Sequence, residues 1–275
     1  MSGSLTPAEV NSFNAQGYFV KKRAISAAHA ADCRARIEAF EEALGEDCNV
    51  RMKIKAHLVS PWMTDLARHP LILDAVESLL GPDILLFGSS MFAKAAQSSK
   101  FVSWHQDSAY YGLEPNDSVT VWLAFTPSNK ANGCLRVLPG SHLGPQYEHE
   151  ETYDPQNLLA RGQTIHGLDD DKAAYLELEP GEFSIHHVRT AHGSLGNFTA
   201  DRRIGLAFFY IGAHVASTLG RRTALKVRGE DRHNHWDDDP VPRIDLDPRS
   251  IQFLTDMWSR YQSKDIQQAA KAGRV

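Results

Sequence analysis

The chain has 275 residues, 42% hydrophobic and 23% charged, with a net charge of −5. This fits one globular domain with a sizeable core, and the acidic balance argues against nucleic acid as the principal partner. No apolar run approaches the ~18 residues of a membrane span, MSGSLTPAEV lacks a secretory pattern, and three cysteines without CxxC spacing read as reduced thiols of a cytoplasmic protein.

The first third reads as mostly helical. Thr6-Pro7-Ala8-Glu9 is a capping box with Pro at the first helical position, and Gly17 ends that helix. Tyr18-Phe19-Val20 is a short strand. Ser26 opens a helix running to Leu44, stopped by Gly45, and Pro70 opens another over LILDAVESLL, stopped by Gly81-Pro82. Lys53 and Lys55, in RMKIKAHL, are expected on one face of a strand.

From residue 83 the texture changes. DILLFGSSMF, SVTVWLAF, CLRVL, AAYLELE, EFSIHH and RRIGLAFFYI are short apolar or alternating runs separated by turn chemistry such as PSNKANG, EPGE and GNFTAD. Strands without intervening helices imply an antiparallel sandwich or barrel. Residues 143–172 are a long polar insertion of the kind that forms lids, and 221–248 are a second such stretch. A final amphipathic helix is expected over 249–270. The chain reads as one domain over 1–275: a helical part at about 5–82, a β core at about 83–215, and a loop and helix at about 216–275.

His105 and Asp107 form a His-x-Asp triplet, and His192 follows 85 positions after Asp107. Two imidazoles and one carboxylate are the ligand set of a mononuclear non-haem Fe(II) oxygenase site. In a strand, residues i and i+2 share a face, so His105 and Asp107 can enter one cavity while Gln106 points away. Arg203 lies eleven residues past His192. Its planar guanidinium suits the carboxylate of a 2-oxo acid cosubstrate. Arg202 competes for that role, and alternation lets only one of the two point inward. Ser194 offers a hydroxyl beside His192. Tyr110 and Tyr111 are candidates for a substrate wall. One of His186 and His187 must face inward; His187 is the substrate-side candidate. His142 reads as part of a turn, the Asp237-Asp238-Asp239 run as a solvated loop, and His233, His235 and Trp236 as a rim.

WHQDSAYYGL, VTVWLAF, NGCLRVLPGSH, NLLARGQ, LEPGEFSIHH and HGSLGNFTADRR together resemble the phytanoyl-CoA dioxygenase family of Fe(II)/2-oxoglutarate oxygenases, over roughly residues 5–250. The resemblance implies a mainly β fold with flanking α-helices, a double-stranded β-helix or jelly roll of cupin type. It implies iron held by His105, Asp107 and His192. It implies 2-oxoglutarate gripped by Arg203 with Ser194 assisting, Trp122 walling the pocket and Lys55 reaching the cosubstrate. The implied activity is hydroxylation of a small polar metabolite, an amino acid or aminoalkylphosphonate preferred, using O2 and releasing succinate and CO2. A carboxylate at position 107 favours hydroxylation over halogenation. A larger natural product or acyl thioester is the alternative substrate, and a non-catalytic jelly-roll binding protein the alternative class. The expected partner is a small molecule, with no nucleic acid or membrane, and the chain a monomer or homodimer.

Overall fold

The computed structural model describes residues 3–159 and 161–261. Two antiparallel sheets face each other. The larger has seven strands, in the order Tyr18–Arg23, Glu182–His187, Ser118–Ala124, Arg203–Gly212, Ile84–Lys94, Thr223–Arg228 and Asp237–Asp238, with only the last pair parallel. The smaller contains Val102–His105, His192–Ser194, Leu135–Val137 and Ala174–Leu176. The sheets do not close into a barrel; the architecture is a jelly roll with flanking helices.

Strand alternation builds the core and the cavity at once. Along Arg203–Gly212, the side chains of Ile204, Leu206, Phe208 and Tyr210 enter the main core. Val119, Val121 and Leu123 do the same from Ser118–Ala124, and Phe183 and Ile185 from Glu182–His187. The helices Ala27–Leu44, Pro61–Ala67 and Pro70–Leu80 cover this face with Ile37, Met63, Ile72 and Val76. The opposite side chains, Arg203, Ala207, Phe209, Thr120, Trp122 and His186, face a cavity between the sheets. A period of two thus sends every second residue toward the site.

The capping box at Thr6, the helix starts at Ser26 and Pro70 and the stops at Gly17 and Gly45 stand as expected. The helix Pro61–Ala67 was not anticipated, although Ser60-Pro61 is a start signal. The C-terminal helix runs Pro248–Tyr261; the remainder of the expected span to residue 270 lies outside the described residues. Lys53 and Lys55 do not share a strand. Lys55 takes φ 50 and leads into the 3-10 turn Ala56–Leu58. Lys53 donates to the Leu158 carbonyl instead. Asp239 is buried rather than solvated, because Lys55 and His57 both reach it.

Candidate metal centre and cosubstrate pocket

His105 ends the strand Val102–His105, and His192 starts the strand paired beside it, in direct register. Asp107 lies beyond the strand end, in helical conformation (φ −59, ψ −36), as the cap of the short helix Ser108–Tyr111. The His-x-Asp pair therefore converges through a strand-to-helix corner and not through strand alternation. The three groups are buried, and their ligand atoms lie within 4.8 Å of one another.

Both histidines are locked in the same way. The Nδ1 of His105 faces the Ser103 carbonyl at 2.9 Å, and that of His192 faces the Thr190 carbonyl at 2.9 Å. Each carbonyl accepts a proton only from Nδ1–H, so each Nε2 lone pair is free. The Nε2 atoms stand 3.5 and 3.9 Å from Asp107 Oδ1, while Thr120 donates to Oδ2 at 3.1 Å. Burial, then His105, pushes the His192 imidazole well below its usual range. Burial raises the Asp107 carboxyl, but His192 and its neighbours outweigh that and hold it well below. Neutral imidazole beside ionised carboxylate is the protonation state that ligates a divalent metal. The donor set, its orientation and its burial fit Fe(II).

Arg203 is 2% exposed and its Nε has no hydrogen-bond partner. Its guanidinium sits 5.2 Å from the Trp122 ring centroid, and burial lowers its pKa to about 10, so it remains charged at neutral pH. No carboxylate among the described residues pairs with it. Arg202 points outward to Glu41 at 2.7 Å. Ser194 lines the same cavity and accepts from Lys94 Nζ at 2.7 Å. Lys94 stands in register with Arg203 on the neighbouring strand.

The remaining expected positions divide. Tyr110 and Tyr111 both line the cavity, Tyr110 edge-on to His149 and Tyr111 against Phe87 and Phe209. His187 faces away from it: its Nδ1 accepts from the Arg189 amide and its ring lies against His142, because Phe183 and Ile185 fix the phase of that strand. His186 takes the inward place, 4.2 Å from the His192 ring and 3.8 Å from Asp107 Oδ2. Lys55 lines the cavity, but its ammonium is bound 2.8 Å from Asp239 and to the Thr223 carbonyl. That commitment replaces the expected reach to a cosubstrate; the lysine beside Arg203 is Lys94. Sequence reasoning also missed Thr120, whose phase was readable from Trp122 two positions on. His142 is not near the centre; it bonds the Asn14 carbonyl. Trp236 is buried and walls the cavity. The whole space has a volume of about 600 Å³.

Comparison with known proteins places this geometry in a family. The profile of phytanoyl-CoA dioxygenase (PhyH) matches residues 5–205. A probable alpha-ketoglutarate-dependent hypophosphite dioxygenase of Stutzerimonas stutzeri is 32% identical over 184 residues, 66% of this chain and 64% of that protein. The peroxisomal phytanoyl-CoA dioxygenase of Bos taurus is 35% identical over 133 residues, 46% of this chain and 39% of that protein. The chain thus spans less than two thirds of the length of either. Among solved structures, the apo form of the non-heme monooxygenase ThoJ superposes with a TM-score of 0.82 at 32% identity, covering 96% of this chain and 99% of the other. The chain belongs to the phytanoyl-CoA dioxygenase family.

Proposed function

We propose that the protein is an Fe(II)- and 2-oxoglutarate-dependent dioxygenase that hydroxylates a C–H bond of a small metabolite, releasing succinate and CO2. One observation carries this reading: the His105–Asp107–His192 cluster shares its cavity with a buried guanidinium, Arg203, that pairs with no carboxylate among the described residues. A charge left without a partner in a dry site is costly unless a ligand supplies one.

His105, Asp107 and His192 are the metal ligands in this reading. Arg203 binds the distal carboxylate of 2-oxoglutarate, the Ser194 hydroxyl adds a donor, and Trp122 closes the wall behind the guanidinium. Iron held by these three residues would supply the redox chemistry that couples O2 reduction to cosubstrate decarboxylation. The protein's own contribution is positional. Thr120 and the two backbone carbonyls fix the ligand geometry, and the apolar cavity walls exclude water from the reacting C–H bond. Tyr110 and Tyr111 form part of the substrate wall.

Amino acids and aminoalkylphosphonates are the first substrates to test, a choice supported by the similarity to a protein named for hypophosphite. A larger natural product is the second reading, favoured by the aromatic wall of Phe87, Tyr111, Phe209 and Trp236. Three free, buried cysteines fit a reducing, cytoplasmic setting.

Purified protein with Fe(II), 2-oxoglutarate and O2 should form succinate in the presence of a substrate, and Asp107→Ala should abolish it. Absence of 2-oxoglutarate binding to the Ni(II)-loaded protein, together with no succinate from any candidate, refutes the reading.

A further inference from the structure

Arg222 lies beyond the span matched by the family profile, yet it lines the same cavity as the metal cluster. It precedes the strand Thr223–Arg228 and turns its guanidinium onto an aromatic group, 5.2 Å from the Trp236 centroid and 6.0 Å from that of Phe87. Phe87, Tyr111 and Phe209 pack on one another with centroids 5.2 to 5.9 Å apart. Phe209 is in register with Thr120, the residue that holds Asp107, so this aromatic group borders the metal cluster. Arg203 is six residues back along the same strand face, roughly 20 Å away at the strand rise. The two arginines therefore enter the cavity from different places along it.

The local charges leave Arg222 over. Asp237 pairs with Arg221 at 2.7 Å, and Asp239 pairs with Lys55 at 2.8 Å and contacts His57. Asp107 belongs to the metal cluster, and Asp256 at the cavity edge makes no ion pair with Arg222 among the described residues. Arg222 donates from Nε to Ser217 Oγ at 2.9 Å and from Nη2 to the Tyr111 carbonyl at 2.6 Å. Those two bonds fix the plane of the fork and leave Nη1 with no hydrogen bond to any described residue. A half-buried guanidinium held in plane by two bonds, with one nitrogen left open to the cavity, can receive an anion.

We infer that Arg222 is the specificity residue of the substrate site: it binds an anionic headgroup, carboxylate or phosphonate, of a substrate whose apolar body lies on Phe87, Tyr111 and Phe209 in front of the metal cluster. This rests on the oxygenase reading above and adds the substrate class to it.

The test is calorimetric, on Ni(II)-loaded protein with and without 2-oxoglutarate. The probes are phenylacetate, benzylphosphonate and the neutral benzyl alcohol, which share one apolar body. At least one anionic probe should bind about 10-fold more tightly than the alcohol, the effect of one charge-assisted hydrogen-bonded pair; the better anion identifies the headgroup. Arg222→Met should abolish that preference while leaving affinity for 2-oxoglutarate unchanged. Arg222→Lys keeps the charge but loses the fork; it should weaken anion binding at least threefold without affecting the alcohol, and it decides the matter if the methionine variant does not fold. Equal binding of all three probes, no binding of any, or an unchanged preference in the variants overturns the proposal. Loss of 2-oxoglutarate affinity in the variants also overturns it, since Arg222 would then serve the cosubstrate. Wild-type protein that fails to bind 2-oxoglutarate refutes the oxygenase reading separately.

Discussion

Thr120 is tied to the metal cluster by a hydrogen bond, and that bond is informative. Its hydroxyl donates to Asp107 Oδ2, leaving Oδ1 turned toward the two Nε2 atoms. Partners of metal ligands typically hold 10–100-fold in metal affinity. Thr120→Val keeps the shape and deletes the donor. Metal affinity should fall about 10-fold with an unchanged fold, measured by Ni(II) titration; wild-type affinity would reduce Thr120 to packing. At this scale the sequence was legible in types and less so in directions. His105, Asp107 and His192 stood out by chemistry. The Arg202 and Arg203 pair and the His186 and His187 pair differ only in strand phase, which depends on the core partners of Ile204 and Ile185. Lys94 was invisible because its role depends on a neighbour, Arg203, more than a hundred positions away.

Among the elements, the central strand Arg203–Gly212 carries the end of the cavity where Arg203 is proposed to bind 2-oxoglutarate. Gly205 is its tightest point: a Cβ there would lie 2.1 Å from the Trp122 ring. The strand is paired on both sides, with Ala124 and Phe92 opposite Gly205, so the backbone has little room to yield. Gly205→Ala should displace Trp122 from beneath Arg203 and weaken 2-oxoglutarate binding by about 10-fold, with an overpacking cost of roughly 1–3 kcal/mol in stability. Calorimetry on the metal-loaded variant and its Tm check both. The helices were readable because caps are local: Thr6, Ser26 and Pro70 announce themselves within four residues. The Asp107 corner was not, since nothing in His-x-Asp distinguishes a continuing strand from one that ends at the histidine.

Over the whole molecule, the support behind the cavity wall at Lys55 is assembled from segments without periodicity. Lys55 and His57 come from the N-terminal third and Asp239 from the late loop; the Leu246 amide reaches the Val59 carbonyl at 2.8 Å beside them. Such contacts leave no local sequence signal, which is why Asp239 read as solvated. They do set the response to acid. Burial raises the Asp239 carboxyl, but Lys55 and His57 more than offset this and bring it to about 2. Burial also lowers Lys55 and His57, leaving the imidazole neutral when folded. A depressed carboxyl stabilises the fold above its unfolded value and loses that contribution as pH falls through about 4 toward 2. An imidazole kept neutral costs stability once pH drops below its unfolded value near 6.5. Tm should therefore decline in two stages on acidification. Asp239→Asn should lower Tm at pH 7 by roughly 10 °C, the loss expected from breaking a buried pair, and should flatten the lower stage. A single-stage acid profile shared by both proteins would contradict this account.

Lys94 bears on the direction in which Ser194 turns its proton. Burial, then the charge of Arg203, pushes its amine down to about 5, and it donates to Ser194 and the Leu195 carbonyl. Lys94 is fully buried behind the cavity, whereas Ser194 lines it. The Ser194 oxygen accepts from behind, so its own proton is left to donate into the cavity. A hydroxyl oriented in this way is a ready donor for an anionic group drawn in beside Arg203.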